Sequence, residues 1–230
     1  MPAKTGSGNR IKPRFLKNRL LCEVEIDSEL IVCYVPSSCH LSNFLKLNQK
    51  EVLPVPTATP NSRTKYALFA VPYKKNYIVL NTSMANRAIE ESLKSRLFSY
   101  LGKRKNVIKE HSVSGYKCDL YIEDTDTIIE IKSVISTADR ALFPTVYSER
   151  TIKQLQRLQE ILIVGKKVCF YVVSLHPYLK EVAIDQNTEF YTELQRCINF
   201  GMRLHAYTVR LKGNTLSVEH EIPISFIADC

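Results

Sequence analysis

Two acids and a lysine stand close together in the middle of the chain: Asp119, then Glu130 and Lys132 with one residue between them. Two carboxylates on one side of a β-ribbon can converge on a hard divalent cation, and Mg²⁺ or Mn²⁺ takes oxygen ligands of this kind. An ion so held polarises a phosphodiester and lowers the pKa of a bound water. An adjacent ammonium orients that water or stabilises charge developing on phosphorus. The chemistry these types suggest is metal-assisted phosphodiester hydrolysis. A plainer reading competes with it, because Glu-x-Lys on one strand face and an Asp–Lys pair across two strands are also ordinary ion-pair arrangements.

What must position the three is a hairpin. Cys118 to Glu123 and Ile128 to Lys132 alternate or run apolar on either side of Asp124-Thr125-Asp126-Thr127, a turn-rich break. With Glu123 opposite Ile128, Asp119 falls opposite Lys132 and Tyr121 opposite Glu130. Side chains alternate along a strand, so Asp119, Glu130 and Lys132 share a face. Opposed positions sit about 5 Å apart at Cβ and diagonal ones about 7–8 Å. Ile128, Ile129, Ile131 and Val134 surround these charges with apolar side chains, and embedded charges require partners or a function.

Further elements follow from periodicity. Leu21–Ile26, Leu30–Val35, Lys65–Val71 and Asn76–Leu80 predict a small β-meander or barrel with an exposed loop over Pro54–Asn61. Asn81-Thr82-Ser83 offers cap residues for a dividing helix over Met84–Tyr100. Val107–Val113, Lys117–Glu123 and Thr127–Val134 then read as strands. A helix follows over Ser148–Val164 with Ile152, Leu155, Leu158, Ile161 and Leu162 on its inner side. Val168–Ser174 reads as a strand buried on both faces. A helix over Thr188–Asn199 and a strand over Met202–Leu211 complete the series. Strand, long helix, strand implies a β-α-β crossover and so a mixed sheet.

Composition sets the class. With 45% apolar and 24% charged residues, the chain is that of a globular protein. Met1–Arg10 is polar, without the apolar core of a secretory signal, and no apolar run is long enough to span a bilayer. Seven cysteines form no C-x-x-C pair, and most neighbour apolar residues, as buried free thiols do. Zinc at Cys33, Cys39 and His40 has no fourth ligand at a plausible spacing. A reducing cytoplasmic setting without membrane contact is the expectation. The net charge is +9, with Lys4, Arg10, Lys12, Arg14, Lys17 and Arg19 all preceding the first acid, Glu23. Such a basic arm attracts polyanions by counterion release, or is simply a solvated tail. The histidines are scattered and read as structural, and no nucleophile–histidine–acid triad or glycine-rich nucleotide loop is present.

The hairpin is an instance of the Asp…Glu-x-Lys pattern of the PD-(D/E)xK nuclease superfamily, and the flanking residues resemble one family more closely. Asn81-Thr82-Ser83-Met84-Ala85-Asn86-Arg87-Ala88-Ile89-Glu90-Glu91, Glu130-Ile131-Lys132-Ser133-Val134, Ala141-Leu142-Phe143-Pro144 and Ser148-Glu149-Arg150-Thr151-Ile152-Lys153 are similar to segments of the sugar fermentation stimulation protein A (SfsA) family. That resemblance implies an α/β (α+β) architecture: an N-terminal OB-like β-barrel followed by a PD-(D/E)xK nuclease-type mixed-sheet domain with flanking helices. The boundaries are then 1–12 for a basic arm, 13–82 for the barrel and 83–230 for the nuclease-like domain. It implies Mg²⁺-dependent (or Mn²⁺-dependent) nuclease chemistry on DNA, with RNA the second candidate substrate. Asp119, Glu130 and Lys132 take the reaction-centre roles, and Glu110 and Glu91 are candidates to complete the metal set. The family name points to the alternative, a non-catalytic DNA-binding regulator of sugar-utilisation genes. The chain departs from the family's pattern at Thr145, Thr151 and Gln154, where Asp, Gly and His are usual. Pro36-Ser37-Ser38-Cys39 replaces a Pro-Asn-Thr-Gly-type loop.

Phosphate contacts are expected from Arg150 and Lys153, on one helical stripe with Arg157, Arg157 itself reading as solvated. Arg87 joins them from the dividing helix, and Arg14, Lys17, Arg19, Arg63 and Lys65 from the barrel side. Tyr66 and Phe69 are base-stacking candidates, although aromatics in barrel strands more often build the core.

Overall fold

The structure is a computed structural model describing residues 14–15, 21–26, 28–35, 52–57, 62–213 and 215–228. In chain order it begins with β1 (Arg14–Phe15), β2 (Leu21–Ile26), β3 (Glu29–Tyr34), β4 (Leu53–Pro56), β5 (Tyr66–Tyr73) and β6 (Asn76–Val79). These form one sheet of order β1-β2-β3-β5-β4, with β6 also on β5. β4 corrects the expected Pro54–Asn61 loop at Pro54–Pro56, and residues 58–61 lie outside the described residues. Its Pro54 and Pro56 are tolerated because β4 is an edge strand among the described residues, where a missing N–H leaves no ladder bond unmade. The barrel expected over 13–82 includes residues 36–51, which lie outside the described residues.

α1 (Met84–Ser92) is shorter than the expected Met84–Tyr100 helix. The Arg104 guanidinium takes the carbonyl of Leu93 and, at 2.9 Å, that of Ser95, satisfying acceptors that a further helical turn would have used. The chain resumes as a 3-10 turn over Arg96–Leu101.

β7 (Val107–Lys109), β8 (Ser112–Val113), β9 (Tyr116–Lys117) and β10 (Leu120–Ile122) are two arms of a single hairpin. The pairings Leu120 with Lys109 and Ser112 with Lys117 are joined by bonds from Glu110 N to Asp119 O and from Cys118 N to His111 O, both 2.9 Å. Ser114 and Gly115 form its tip, both at positive φ (50° and 78°), as the tightest hairpin turns require. Glu110, also at positive φ (48°), kinks the ribbon halfway, so the expected continuous strands over Val107–Val113 and Lys117–Glu123 are each broken in two.

β11 (Thr127–Val134), β12 (Arg140–Leu142), α2 (Glu149–Ile163), β13 (Lys167–Ser174), β14 (Glu181–Asp185), α3 (Glu189–Asn199), β15 (Arg203–Lys212), β16 (Thr215–Ile222) and β17 (Ile224–Ile227) complete the order. The central sheet runs β16-β15-β13-β11-β10-β7. β11, β13 and β15 are parallel and their outer neighbours antiparallel, so the mixed sheet expected from strand–helix–strand is present. Ser148 and Thr188 cap α2 and α3 by accepting from the N–H groups of Thr151 (3.2 Å) and Tyr191 (3.1 Å).

Each face of the central sheet has its own core. Ile129, Ile131, Tyr171 and Tyr207 pack with α1 and with Val24, Leu68 and Ile78 of the first sheet. Ile128, Phe170 and Val172 pack with Leu155 and Leu158 of α2 and Leu194 of α3. The first sheet is also tied to the second by a bond from Val79 N to Leu175 O at 3.1 Å. At that junction the fully buried His176 stacks edge-on to Tyr73 at 4.7 Å.

Candidate active site

The β10–β11 ladder ends at Leu120 opposite Ile129, and its continuation sets Asp119 against Glu130. This register lies two residues from the expected one. A shift of two preserves parity within the ladder, so Glu130 and Lys132 keep a common face, toward α2. Asp119, one residue past the last ladder pair and now opposed to Glu130 instead of Lys132, reaches Asn86 of α1. The turn accordingly occupies Glu123–Asp126, with a 3-10 turn over Glu123–Thr125 and Asp126 at φ 52°.

Beyond Leu120 the kinked hairpin leaves the sheet, and the Asp119 side chain fills the opening. Its Oδ2 accepts from the backbone N–H of Ile131 at 2.7 Å, taking the place of a ladder carbonyl. Its Oδ1 accepts from Asn86 Nδ2 of α1 at 2.8 Å. The departing hairpin carries Tyr116 over Glu130, whose Oε2 accepts from the phenol at 2.5 Å. Glu130 Oε1 accepts from Lys132 Nζ at 2.7 Å, and the same ammonium donates to Gln154 Oε1 of α2 at 2.7 Å. Arg157 Nη2 donates to Ser114 O at 2.5 Å, fixing the hairpin tip to α2.

Glu130 is only 2% exposed. Burial raises its pKa, and so does the charge of Asp119, while the ammonium of Lys132 and the Tyr116 hydroxyl pull it down. Burial and the facing carboxylate of Glu130 push the Tyr116 phenol far upward, so it remains a donor. Two carboxyl groups thus lie close enough for Asp119 to raise the pKa of Glu130, with one ammonium between Glu130 and α2. The donor set fits a hard cation, since both acids offer oxygen and their mutual repulsion would be relieved by positive charge.

The larger acid cluster is not brought together. Among the described residues no three His, Cys, Asp or Glu side chains are grouped to hold one ion. Glu110 turns outward at the kink to Lys117 (2.6 Å), and Glu91 pairs with Arg87 one helical turn back (2.7 Å). Both line the same cleft as Asp119, between α1 and the β7–β10 hairpin, but neither faces Glu130.

Of the expected phosphate contacts, Arg87 lines this first cleft. Arg150, Lys153 and Arg157 line a second, shallower groove with Tyr116 and Gln154. Lys153 is paired with Glu149 at 2.7 Å and Arg157 with Glu160. Arg63 and Lys65 are exposed just before β5. For Arg14 only the backbone is described, and Lys17, Arg19, Cys39, His40 and the Pro36–Cys39 loop lie outside the described residues. Tyr66 and Phe69 pack partly buried against the core, as aromatics in strands usually do. Five cysteines, Cys22, Cys33, Cys118, Cys169 and Cys197, are buried free thiols. No helix among the described residues is long and apolar enough to cross a membrane.

Three contributors were not singled out from sequence: Asn86, Tyr116 and Gln154. Asn86 stood in a motif already noted, and Gln154 at a position where the family pattern is broken. Tyr116 gave no signal, because it reaches Glu130 only through the kink at Glu110.

A mixed sheet flanked by helices, with two opposed acids and a lysine at the point where a strand leaves it, defines the class of protein. A model of the sugar fermentation stimulation protein RE domain matches residues 83–215, more than half of the chain. The chain belongs to the SfsA, or sugar fermentation stimulation protein, family. It is 27% identical over 159 residues to the sugar fermentation stimulation protein homolog of Clostridium novyi, covering 66% of this chain and 69% of that one. With the homolog of Caldanaerobacter subterraneus it shares 26% over 222 residues, covering 93% and 96%. The solved structure of Pyrococcus furiosus SfsA, in complex with Ca²⁺, superposes with a TM-score of 0.79 at 15% identity, covering 93% of this chain and 94% of that one. At that identity the likeness concerns the fold.

Proposed function

We propose that the chain is a divalent-metal-dependent nuclease of PD-(D/E)xK type that hydrolyses phosphodiester bonds in DNA or RNA. One observation carries the reading: Glu130 is held as a buried carboxyl beside Asp119, with Lys132 2.7 Å from its Oε1. A purely structural ion pair gains nothing from a second carboxylate that raises the pKa of the first. A site awaiting positive charge does.

In this reading Asp119 and Glu130 supply the protein ligands, and the remaining positions fall to water and substrate, as is common for Mg²⁺. A bound cation would polarise the scissile phosphoryl group and acidify a water. Asn86 and the Ile131 N–H fix the orientation of Asp119, leaving carboxylate lone pairs free. Tyr116 fixes Glu130 from the opposite side. Lys132, oriented by Gln154, holds its ammonium where negative charge builds on phosphorus. The Ca²⁺ named for the Pyrococcus furiosus structure is of the same hard, oxygen-seeking kind. On the same reading the β1–β6 sheet is an OB-like module that helps hold the polymer.

A second reading has its own support. All four carboxylate oxygens of Asp119 and Glu130 already accept a hydrogen bond, an arrangement that also suits a non-catalytic DNA-binding protein, such as a regulator of sugar-utilisation genes. Labelled single- and double-stranded DNA and RNA, incubated with Mg²⁺ or Mn²⁺ and either wild type or Glu130→Ala, separate the two. Metal-dependent cleavage lost in the variant supports the nuclease. Binding with no cleavage by either protein in either metal retires it.

A further inference from the structure

The cleft onto which Asp119 opens has a volume of about 850 Å³, and most of its acids are already neutralised. Lys109 holds Glu90 at 2.8 Å, Arg87 holds Glu91 at 2.7 Å and Lys117 holds Glu110 at 2.6 Å. Asp119 takes only neutral donors, from Asn86 and the Ile131 N–H. Arg104 is turned onto backbone carbonyls at the end of α1. Two cations remain: Lys94, just past the end of α1, and Lys105, on the approach to β7. Both are exposed at the cleft, and neither has a carboxylate partner among the described residues. Ion-paired acids contribute little net field, so the cleft is positive up to the point where Asp119 stands.

We infer that this cleft is a binding site for a single polynucleotide strand, with Lys94 and Lys105 on consecutive phosphates leading the backbone to Asp119. The inference rests on the nuclease reading for what happens at Asp119, but the binding stands without it. The cleft's volume is that of a small-ligand pocket, ~300–1,000 Å³. A pocket of that size takes a few nucleotides of one strand, and two paired strands would lie across its mouth. None of the aromatic side chains that stack bases in many single-strand sites lines the cleft. Recognition therefore falls on the sugar–phosphate backbone and is independent of sequence. Neither Lys94 nor Lys105 was a candidate contact from the sequence.

The test is fluorescence anisotropy in EDTA, so that no strand is cut, across a series of salt concentrations. A labelled oligonucleotide is used as single-stranded DNA, as single-stranded RNA of the same sequence and as a DNA duplex. Wild type is compared with Lys94→Glu/Lys105→Glu and with Lys180→Glu/Lys212→Glu, which makes the same charge change at exposed positions away from the cleft. Wild type binds a single strand more tightly than the duplex, and the tighter of the two strands identifies the polymer. The cleft variant loses about tenfold or more in affinity, and its slope of log K against log salt falls by about 1.4, two contacts at ~0.7 each. The control keeps the wild-type slope. Unchanged affinity and slope in the cleft variant, preference for the duplex, or no strand binding by wild type overturns the inference. A parallel cleavage assay in Mg²⁺ keeps the two readings apart. Strand binding that depends on Lys94 and Lys105 without cleavage sinks the catalytic reading alone, and cleavage indifferent to these lysines sinks the cleft alone.

Discussion

Two clusters of buried polar side chains lie on opposite faces of the central sheet. On the face packed against α1, the hydroxyl of Tyr100 meets those of Tyr171 at 2.6 Å and Tyr207 at 2.8 Å. Burial raises all three phenols, Tyr100 to about 12 and the others further, so the cluster stays neutral and every hydroxyl has a partner. On the face packed against α2, Glu130 is just as deeply placed but is an acid whose pKa burial and the neighbouring Asp119 raise. The first cluster is what a fold builds when polar groups only need satisfying. The second carries a desolvation and repulsion cost that packing alone does not require, and groups shifted in this way gather at functional sites.

The sharpest way to break this contrast is Glu130→Gln. A glutamine keeps the shape and both bonds, its amide oxygen accepting from Lys132 and its amide nitrogen donating to the Tyr116 oxygen. Cleavage is expected to fall by about 10²–10⁴-fold, measured as single-turnover rate in Mg²⁺. Stability should move the other way. The carboxyl of Glu130 is raised above its usual 4.5 in the fold, so the stability given by its protonated form is fully present below 4.5 and lost as pH rises through the raised value. In EDTA, thermal unfolding should show the glutamine variant gaining on wild type as pH climbs above 4.5, then holding a constant lead. A variant that is inactive and also less stable at neutral pH would place Glu130 with the structural cluster. Lys132→Met comes next, with an expected loss of about 10²–10³-fold and a higher apparent pKa at Glu130, because the ammonium that favours its ionisation is gone.

Glu130 and Lys132 were legible as neighbours because residues two apart on a strand share a face whatever the register, and Asp119 because a two-residue error still leaves it beside them. The parallel strands were legible because β13 is a continuous apolar run that an amphipathic helix separates from the isoleucine-rich β11. What the sequence hid were interactions that depend on departures from regular structure. The end of α1 is decided by Arg104, eleven residues beyond Leu93, and the positive φ of Glu110 carries Tyr116 over Glu130. β12, β14 and β17 form a separate parallel sheet from short strands whose alternation is too brief to read. Glu91 and Glu110 were placed in the metal set by a motif that says nothing of direction, and each points to its own cation.

The finest discrimination comes from one substitution made in both clusters. Tyr116→Phe removes the donor on Glu130 Oε2, a bond that favours the ionised carboxylate. The raised pKa of Glu130 should rise further, shifting the acid limb of the pH–rate profile to higher pH, with a loss at neutral pH of less than about tenfold, at or below the general acid–base range. Tyr100→Phe leaves the hydroxyls of Tyr171 and Tyr207 without their shared partner, which costs about 1–3 kcal/mol and lowers the melting temperature while the pH–rate profile stays where it was. Phenylalanine at both positions removes the same oxygen atom from the same kind of ring. If the two variants shift the profile alike, the phenol over Glu130 is only packing, and the distinction between the two faces of the sheet fails.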